Sequence, residues 1–165
     1  MLLKNIEIAL NKQIRIEAES SQIYLSMACW AEVNGLEGIA QFMYAQSDEE
    51  RLHMLKLIKY VNERGGHAQI TDLKEKKNTY ETLKGMFEEL YKHEIFVSDS
   101  INELVHITFE EKDYATHNFL QWYVAEQIEE EATAKTILDK INLIGDDKGG
   151  LYLFDRDIQQ IAVVS

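Results

Sequence analysis

The sequence predicts an all-α fold: four long helices packed as two antiparallel hairpins joined by one long crossover, with a short fifth helix at the C-terminus. Three observations predict it. Proline is absent and the eight glycines sit mainly between periodic stretches rather than within them, so helix breakers are scarce. Four long stretches repeat apolar residues at spacings of three and four. The linkers between them alternate short, long, short, and the chain length suits one domain, 1–165, with a sizeable core.

In order, the first stretch runs from about Ile6 to Val33 and ends at Asn34-Gly35, a stop and turn signal. The second runs from about Leu36 to Arg64 and stops at Gly65-Gly66. A polar connector, His67 to Thr79, carries Lys74, Lys76 and Lys77. The third spans about Tyr80 to Phe109, and the fourth follows almost at once from Asp113 to Ile144. After Gly145-Asp146-Asp147-Lys148-Gly149-Gly150 comes an apolar tail, Leu151 to Val164, read as a fifth helix over about 150–162. Helices of this length measure about 45 Å. The short turns force antiparallel neighbours, and the connector, stretching to about 50 Å when extended, reaches from one end of the bundle to the other.

Charge and composition narrow the function. A net charge of -12 argues against a nucleic-acid partner and favours cations. With Cys29 as the single cysteine, neither an internal disulfide nor a thiolate zinc cluster is available. No apolar run suits a membrane span, and the first residues lack a signal-peptide pattern, so a cytoplasmic protein is expected.

The inward stripes carry the chemistry. The third helix gives Leu83, Phe87, Leu90, Glu94, Val97, Ile101 and Leu104, apolar except at its middle. The second gives Ile39, Met43, Gln46, Glu50, His53, Leu57 and Tyr60. The first gives Leu10, Ile14, Glu17, Ser21, Tyr24 and Ala28; the fourth gives Phe119, Tyr123, Gln127, Glu130, Ala134, Ile137 and Ile141. Midpoints coincide whichever way each helix points, so Glu17, Glu50, His53, Glu94, Gln127 and Glu130 are expected to converge at one level.

Several carboxylates in a dry interior repel one another and lose solvation unless neutralised. No lysine or arginine stands on these stripes. Either the acids are protonated or they bind cations, and oxygen donors with one imidazole suit iron, manganese or zinc. Glu50 and His53, one turn apart, form a Glu-x-x-His element of the kind found in di-iron bundles. Alone such a pair is often a surface feature. Glu129-Glu130-Glu131 reads at first as a solvated acidic run, with Glu131 its most ordinary member.

The segments Arg15 to Leu25 (RIEAESSQIYL), Glu49 to His53 (EERLH), Lys92-His93-Glu94 and Phe119 to Glu130 (FLQWYVAEQIEE) make the chain similar to the bacterial non-haem ferritins over essentially its whole length. The resemblance implies a ferritin-like bundle, a hollow homo-oligomeric shell of 24 subunits, and ferroxidase activity that oxidises Fe(II) with O2 and deposits hydrated ferric oxide in the cavity. It implies that Glu17, Glu50 and His53 ligate one iron, that Glu50 bridges, and that Glu94 and Glu130 complete a second site. A third iron site is matched by Glu49, Glu126 and Glu129 with Glu130 shared; Gln127 hydrogen-bonds nearby, and Tyr24 lies beside the pair as an electron donor. Where bacterioferritins carry a haem-binding methionine after the bridging glutamate this chain has Arg51, so no haem is expected. Their second Glu-x-x-His is replaced by Gln127-Ile128-Glu129-Glu130.

His53 has to bind as neutral imidazole, so iron loading is expected to weaken at acid pH. Rival readings are an iron store with little turnover, a carboxylate-bridged di-iron oxidase or oxygenase acting on another substrate, and a metal-free bundle with protonated core acids. The apolar tail (Leu151, Leu153, Phe154, Ile158, Ile161) is expected to be covered by other subunits. Glu110, Asp113 and His117 are either surface residues or the lining of an ion inlet.

Overall fold

The structure is a computed structural model that describes residues 1–161, so residues 162–164 of the expected tail lie outside the described residues. Helix α1 spans Lys4–Val33 and α2 spans Glu37–Glu63. Between them Gly35, at φ 73°, turns the chain. Its N–H reaches the Glu32 carbonyl at 3.1 Å and the Leu36 N–H reaches Ala31 at 3.0 Å, which satisfies the last carbonyls of α1 within the three-residue connection Asn34 to Leu36. Gly65 and Gly66 close α2 in the same way, on Asn62 and Val61.

Helix α3 spans Leu83–Glu110, beginning three residues later than the periodicity suggests. The Thr82 hydroxyl accepts from the Gly85 N–H at 3.0 Å, fixing the helix start there. Tyr80, left outside, packs edge-on against Trp30. Helix α4 spans Tyr114–Ile144. The α3–α4 turn repeats the closing pattern without a glycine: Lys112 takes φ 57°, with its N–H on Phe109 and the Asp113 N–H on Thr108. The Asp113 carboxylate caps α4 through the Thr116 N–H and hydroxyl and faces Arg64 at 3.4 Å, so its role in the fold is that of a cap.

Helix directions follow from the cross-helix bonds. Tyr24 meets Glu94 while Gln13 meets Ser100, so α1 and α3 are antiparallel. Gln46 meets Glu130 while Tyr60 meets Thr116, so α2 and α4 are antiparallel too. α2 and α3 therefore point the same way, and the segment 64–82 has to travel the bundle's length. It does so along α1: the His67 N–H bonds Glu7, the Gln69 N–H bonds Asn11, Lys76 pairs with Glu19, and the Ser26 hydroxyl donates to the Lys77 carbonyl.

The buried apolar residues form two clusters. One, with Met27, Ile39, Met43, Phe87 and Ile137, fills the end where α1 and α4 finish. The other, with Ile6, Leu10, Leu57, Ile101 and Leu120, fills the opposite end. The belt between them is polar.

Helix α5 spans Lys148–Asp157, followed by a 3-10 turn at Ile158–Gln160. Its apolar residues correct the expectation that they wait for other subunits. Phe154 and Ile158 are buried within this chain, Leu151 and Ile161 pack partly against the same cluster, and of the five only Leu153 is exposed, at 48%. Docking is specific: Asp155 Oδ1 accepts the Ile39 N–H at 2.9 Å, an N-terminal amide of α2 that the local cap residue Leu36 has no side chain to satisfy. Gly38 permits the approach, since a Cβ there would lie 1.7 Å from the Asp155 carbonyl oxygen.

Two outcomes follow. Gly38→Ala, which in a free helix would gain about 1 kcal/mol, is expected instead to destabilise by about 1–3 kcal/mol and to raise amide exchange over 148–157, read by thermal unfolding and hydrogen exchange. Lys112→Gly is expected to stabilise by about 1 kcal/mol by relieving the left-handed backbone; a lower midpoint in denaturant would contradict the turn geometry.

Candidate metal centre

Each long helix delivers its polar residues to the belt from the middle of its own buried stripe. Glu17 is 1% exposed, Glu50 2%, His53 3%, Glu94 1% and Glu130 8%, which means the charged groups cannot be hydrated as surface carboxylates are. Gln127 and Tyr24 are buried among them. Donor atoms of Glu17, Glu50 and His53 all lie within 4.8 Å of one another. His53 Nδ1 is 3.9 Å from Glu17 Oε2 and 3.7 Å from Glu50 Oε2, too long for hydrogen bonds and suited to an ion held between them. His53 is wedged edge-on against Trp122, with ring centres 5.1 Å apart, and its carbonyl accepts the Tyr123 hydroxyl at 2.8 Å.

The remaining carboxylates are held by neutral donors. The Tyr24 hydroxyl donates to Glu94 Oε1 at 2.7 Å, and Gln127 Nε2 lies 3.2 Å from Glu94 Oε2. Gln46 Nε2 donates to Glu130 Oε2 at 3.0 Å. Gln13 Nε2 donates to Glu17 Oε1 at 2.7 Å, leaving Glu17 Oε2 buried without a partner. Among the described residues no amide or hydroxyl donates to Glu50.

Burial is the main cause of the raised carboxyl pKa values. Glu17 is pushed up by burial and then by the charge of Glu50; Glu50 by burial and then by Glu94, with Glu130 and Glu49 adding. Glu94 rises through burial, opposed by the bonds from Tyr24 and Gln127. Glu130 is pushed up to about 8 by burial and by Glu94 and Glu49. Burial beside Glu94 also raises the Tyr24 phenol, which stays neutral.

A second group adjoins the first: Glu49, His53 and Glu126 also place donor atoms within 4.8 Å of one another. Glu49 and Glu126, expected to sit together with Glu129 and Glu130, thus lie within reach of His53, while Glu129 is exposed and outside this group. Glu131 is less ordinary than the acidic run suggests, because the Ser98 hydroxyl donates to it and its charge acts on Glu94. Sequence reasoning missed Gln13 and the donor role of Gln46. Gln46 stood on the second stripe as its other polar residue. Gln13 stands one turn before Glu17, beside the stripe, and that i,i+4 spacing was the available signal.

The family model for the ferritin-like domain matches residues 7–144. The chain is 45% identical to a probable bacterial non-heme ferritin-like protein of Haemophilus influenzae, over 98% of each chain. It is also 45% identical to the bacterial non-heme ferritin of Campylobacter jejuni, over 99% of this chain and 98% of that one. Among solved structures, an open-pore ferritin from the hyperthermophilic archaeon Archaeoglobus fulgidus superposes with a TM-score of 0.94 at 42% identity, covering 95% of this chain and 96% of its own. A humanized archaeal ferritin superposes with a TM-score of 0.95 at 43% identity, over 96% of each chain. Matched along its whole bundle by the family model and nearly end to end by these relatives, the chain belongs to the ferritin-like family, with the bacterial non-haem ferritins.

Proposed function

We infer that this chain is a ferroxidase that stores iron: it oxidises Fe(II) with O2 at a buried carboxylate centre and releases Fe(III) for deposition as hydrated ferric oxide. The observation that carries the reading is the belt itself, four buried carboxylates and one imidazole at one level with no lysine or arginine paired to them. The relatives are named as ferritins, and the ferritin cages support an oligomer; the finer reading is a shell of 24 subunits in the cytoplasm, built from single ferritin-like diiron domains.

Iron is the substrate here. Glu17, Glu50 and His53 are assigned to the first ferrous ion, and Glu94 and Glu130 to the second, with Glu50 between them. What supports this last role is that Glu50 places a donor atom within 4.8 Å of those of Glu17 and His53 and also feels the charges of Glu94 and Glu130. Each ferrous ion gives one electron to O2, and two ions held together supply a pair, avoiding one-electron release. Carboxylate oxygens favour the ferric state through their charge and hardness. Gln127 and Tyr24 hold Glu94 in place, and Tyr24 is assigned as the nearby electron donor. Glu49, Glu126 and Glu129, with Glu130, are assigned to a third iron on the route outward.

Stopped-flow mixing of Fe(II) with aerobic protein tests the assignment. Glu50→Ala and His53→Ala are each expected to slow the fast phase by more than the roughly 10–100-fold that loss of a ligand's hydrogen-bond partner causes; wild-type kinetics in either variant would overturn it.

The pKa shifts give a second outcome. Carboxyls with raised folded values stay protonated in the metal-free fold where the unfolded chain, near 4.3, has already ionised. Their contribution to stability is complete below that pH and is lost as pH rises through the folded values, about 8 for Glu130. The metal-free protein is therefore expected to lose thermal stability from pH 5 to 9, and Glu130→Gln to flatten that slope. A midpoint rising over this window, with Glu130→Gln unchanged, would show that these acids are ionised at no cost.

A further inference from the structure

We propose that Gln13 is a positioning residue for the first iron site: it holds Glu17 by one oxygen so that the other, Oε2, is presented to the incoming ion. The proposal rests on the reading that Glu17 binds iron and deepens it.

The geometry is a three-residue chain. The Ser100 hydroxyl on α3 donates to Gln13 Oε1 at 2.8 Å, and Gln13 Nε2 donates to Glu17 Oε1 at 2.7 Å. Gln13 is 1% exposed, so water offers no alternative partner. With Glu17 ionised as a ligand, this orientation of the amide is the favoured one, because a carbonyl oxygen turned toward the carboxylate would set two acceptors against each other. Both ends of the amide are thereby fixed, one on α1 itself and one on α3.

The consequence falls on the other oxygen. Glu17 Oε2 is the one carboxylate oxygen among the described residues that is buried without an amide or hydroxyl donor; it lies 3.9 Å from His53 Nδ1, and the Glu17 carboxyl abuts that of Glu50, a contact that only a shared proton or a cation makes favourable. Leaving a buried acceptor unsatisfied costs free energy unless an ion completes it. By occupying Oε1, Gln13 converts a carboxylate that could rotate or chelate through both oxygens into one that presents a single oxygen, Oε2, to the ion. Groups that orient a metal ligand in this way commonly carry 10–100-fold in affinity.

The test uses full-length assembled protein, titrated anaerobically with Co(II), whose visible absorption reports its ligands, and separately assayed for Fe(II) oxidation. Gln13→Met keeps length and apolar bulk but removes both hydrogen bonds. It is expected to weaken Co(II) binding at the first site about tenfold, to change the band shape, and to raise the Fe(II) concentration for half-maximal rate while leaving the limiting rate within about threefold. Ser100→Ala is expected to act in the same direction but less, with Ser100→Thr restoring the wild-type values. If Gln13→Met does not fold, the Ser100 pair decides alone: equal Co(II) affinity and spectra in Ser100→Ala overturn the proposal. Wild-type affinity in a folded Gln13→Met also overturns it, while loss of Co(II) in Glu17→Ala leaves the iron-site reading intact. Wild-type protein that binds no Co(II) sinks both.

Discussion

The structure depends on one constraint, the gathering of four carboxyl groups in a place that water does not reach. Taking an ionised carboxylate out of water costs several kcal/mol even after relaxation, and the belt collects Glu17, Glu50, Glu94 and Glu130 at one level. The usual remedy, a paired arginine or lysine, is not used: among the described residues none pairs with these four carboxylates, and Lys56 lies over the face of Trp122 at 3.1 Å. The partners chosen are neutral amides and a phenol, Gln13, Gln46, Gln127 and Tyr24. Neutral donors orient a carboxylate without cancelling its charge. The unbalanced remainder is what a metal ion supplies.

Such a belt contributes little to folding, so stability has to come from either side of it. The two apolar clusters do this, each built from all four long helices and each ending against the polar layer. Topology then aligns the layer. Because α1 is antiparallel to α3 and α2 to α4, a residue near the middle of one helix meets the middle of its partner, and any change of helix length at the ends leaves the belt in register. The crossover that this topology requires is tied to α1 by side chains and amides from Glu7 to Ser26, which holds α3 against the face that carries Glu17. Helix α5 serves the same end: Asp155 completes the start of α2, the helix that supplies both Glu50 and His53.

Much of this was legible in the sequence, and the legible parts share a cause. Glu94 is visible because six apolar residues at helical spacing surround it on one stripe; burial is dictated by periodicity, and a charge on a buried stripe stands out. The same holds for Glu17, Glu50, His53 and Glu130. What periodicity cannot convey is a bond between helices. Gln13 lies beside its stripe and is buried because Ser100 and Glu17 meet it, a fact of the α1–α3 approach. Glu131 reads as solvated until Ser98 of α3 reaches it. The tail reads as a surface for other subunits because the sequence does not disclose that Gly38 leaves a gap into which α5 settles. The start of α3 departs from the periodicity for a local reason: apolar spacing continues through Tyr80, whereas the hydroxyl of Thr82 decides where the backbone begins to coil.

The belt also divides its carboxylates by freedom. Glu17, Glu94 and Glu130 each carry a hydrogen bond that fixes at least one oxygen, while Glu50 carries none from an amide or hydroxyl and stands among the other three charges. A fixed carboxylate favours one geometry and binds best when the ion does not change. One without such bonds can shift from one ion to two as charge accumulates, because no amide or hydroxyl bond has to break first. Iron that enters as Fe(II), gives up an electron and leaves as Fe(III) changes its charge and preferred distances within the same site, so a centre that turns over needs both kinds of ligand. In the proposed centre the donors held by amides and the phenol define where the ions sit, and the Glu50 carboxylate, which no amide or hydroxyl holds, absorbs the change.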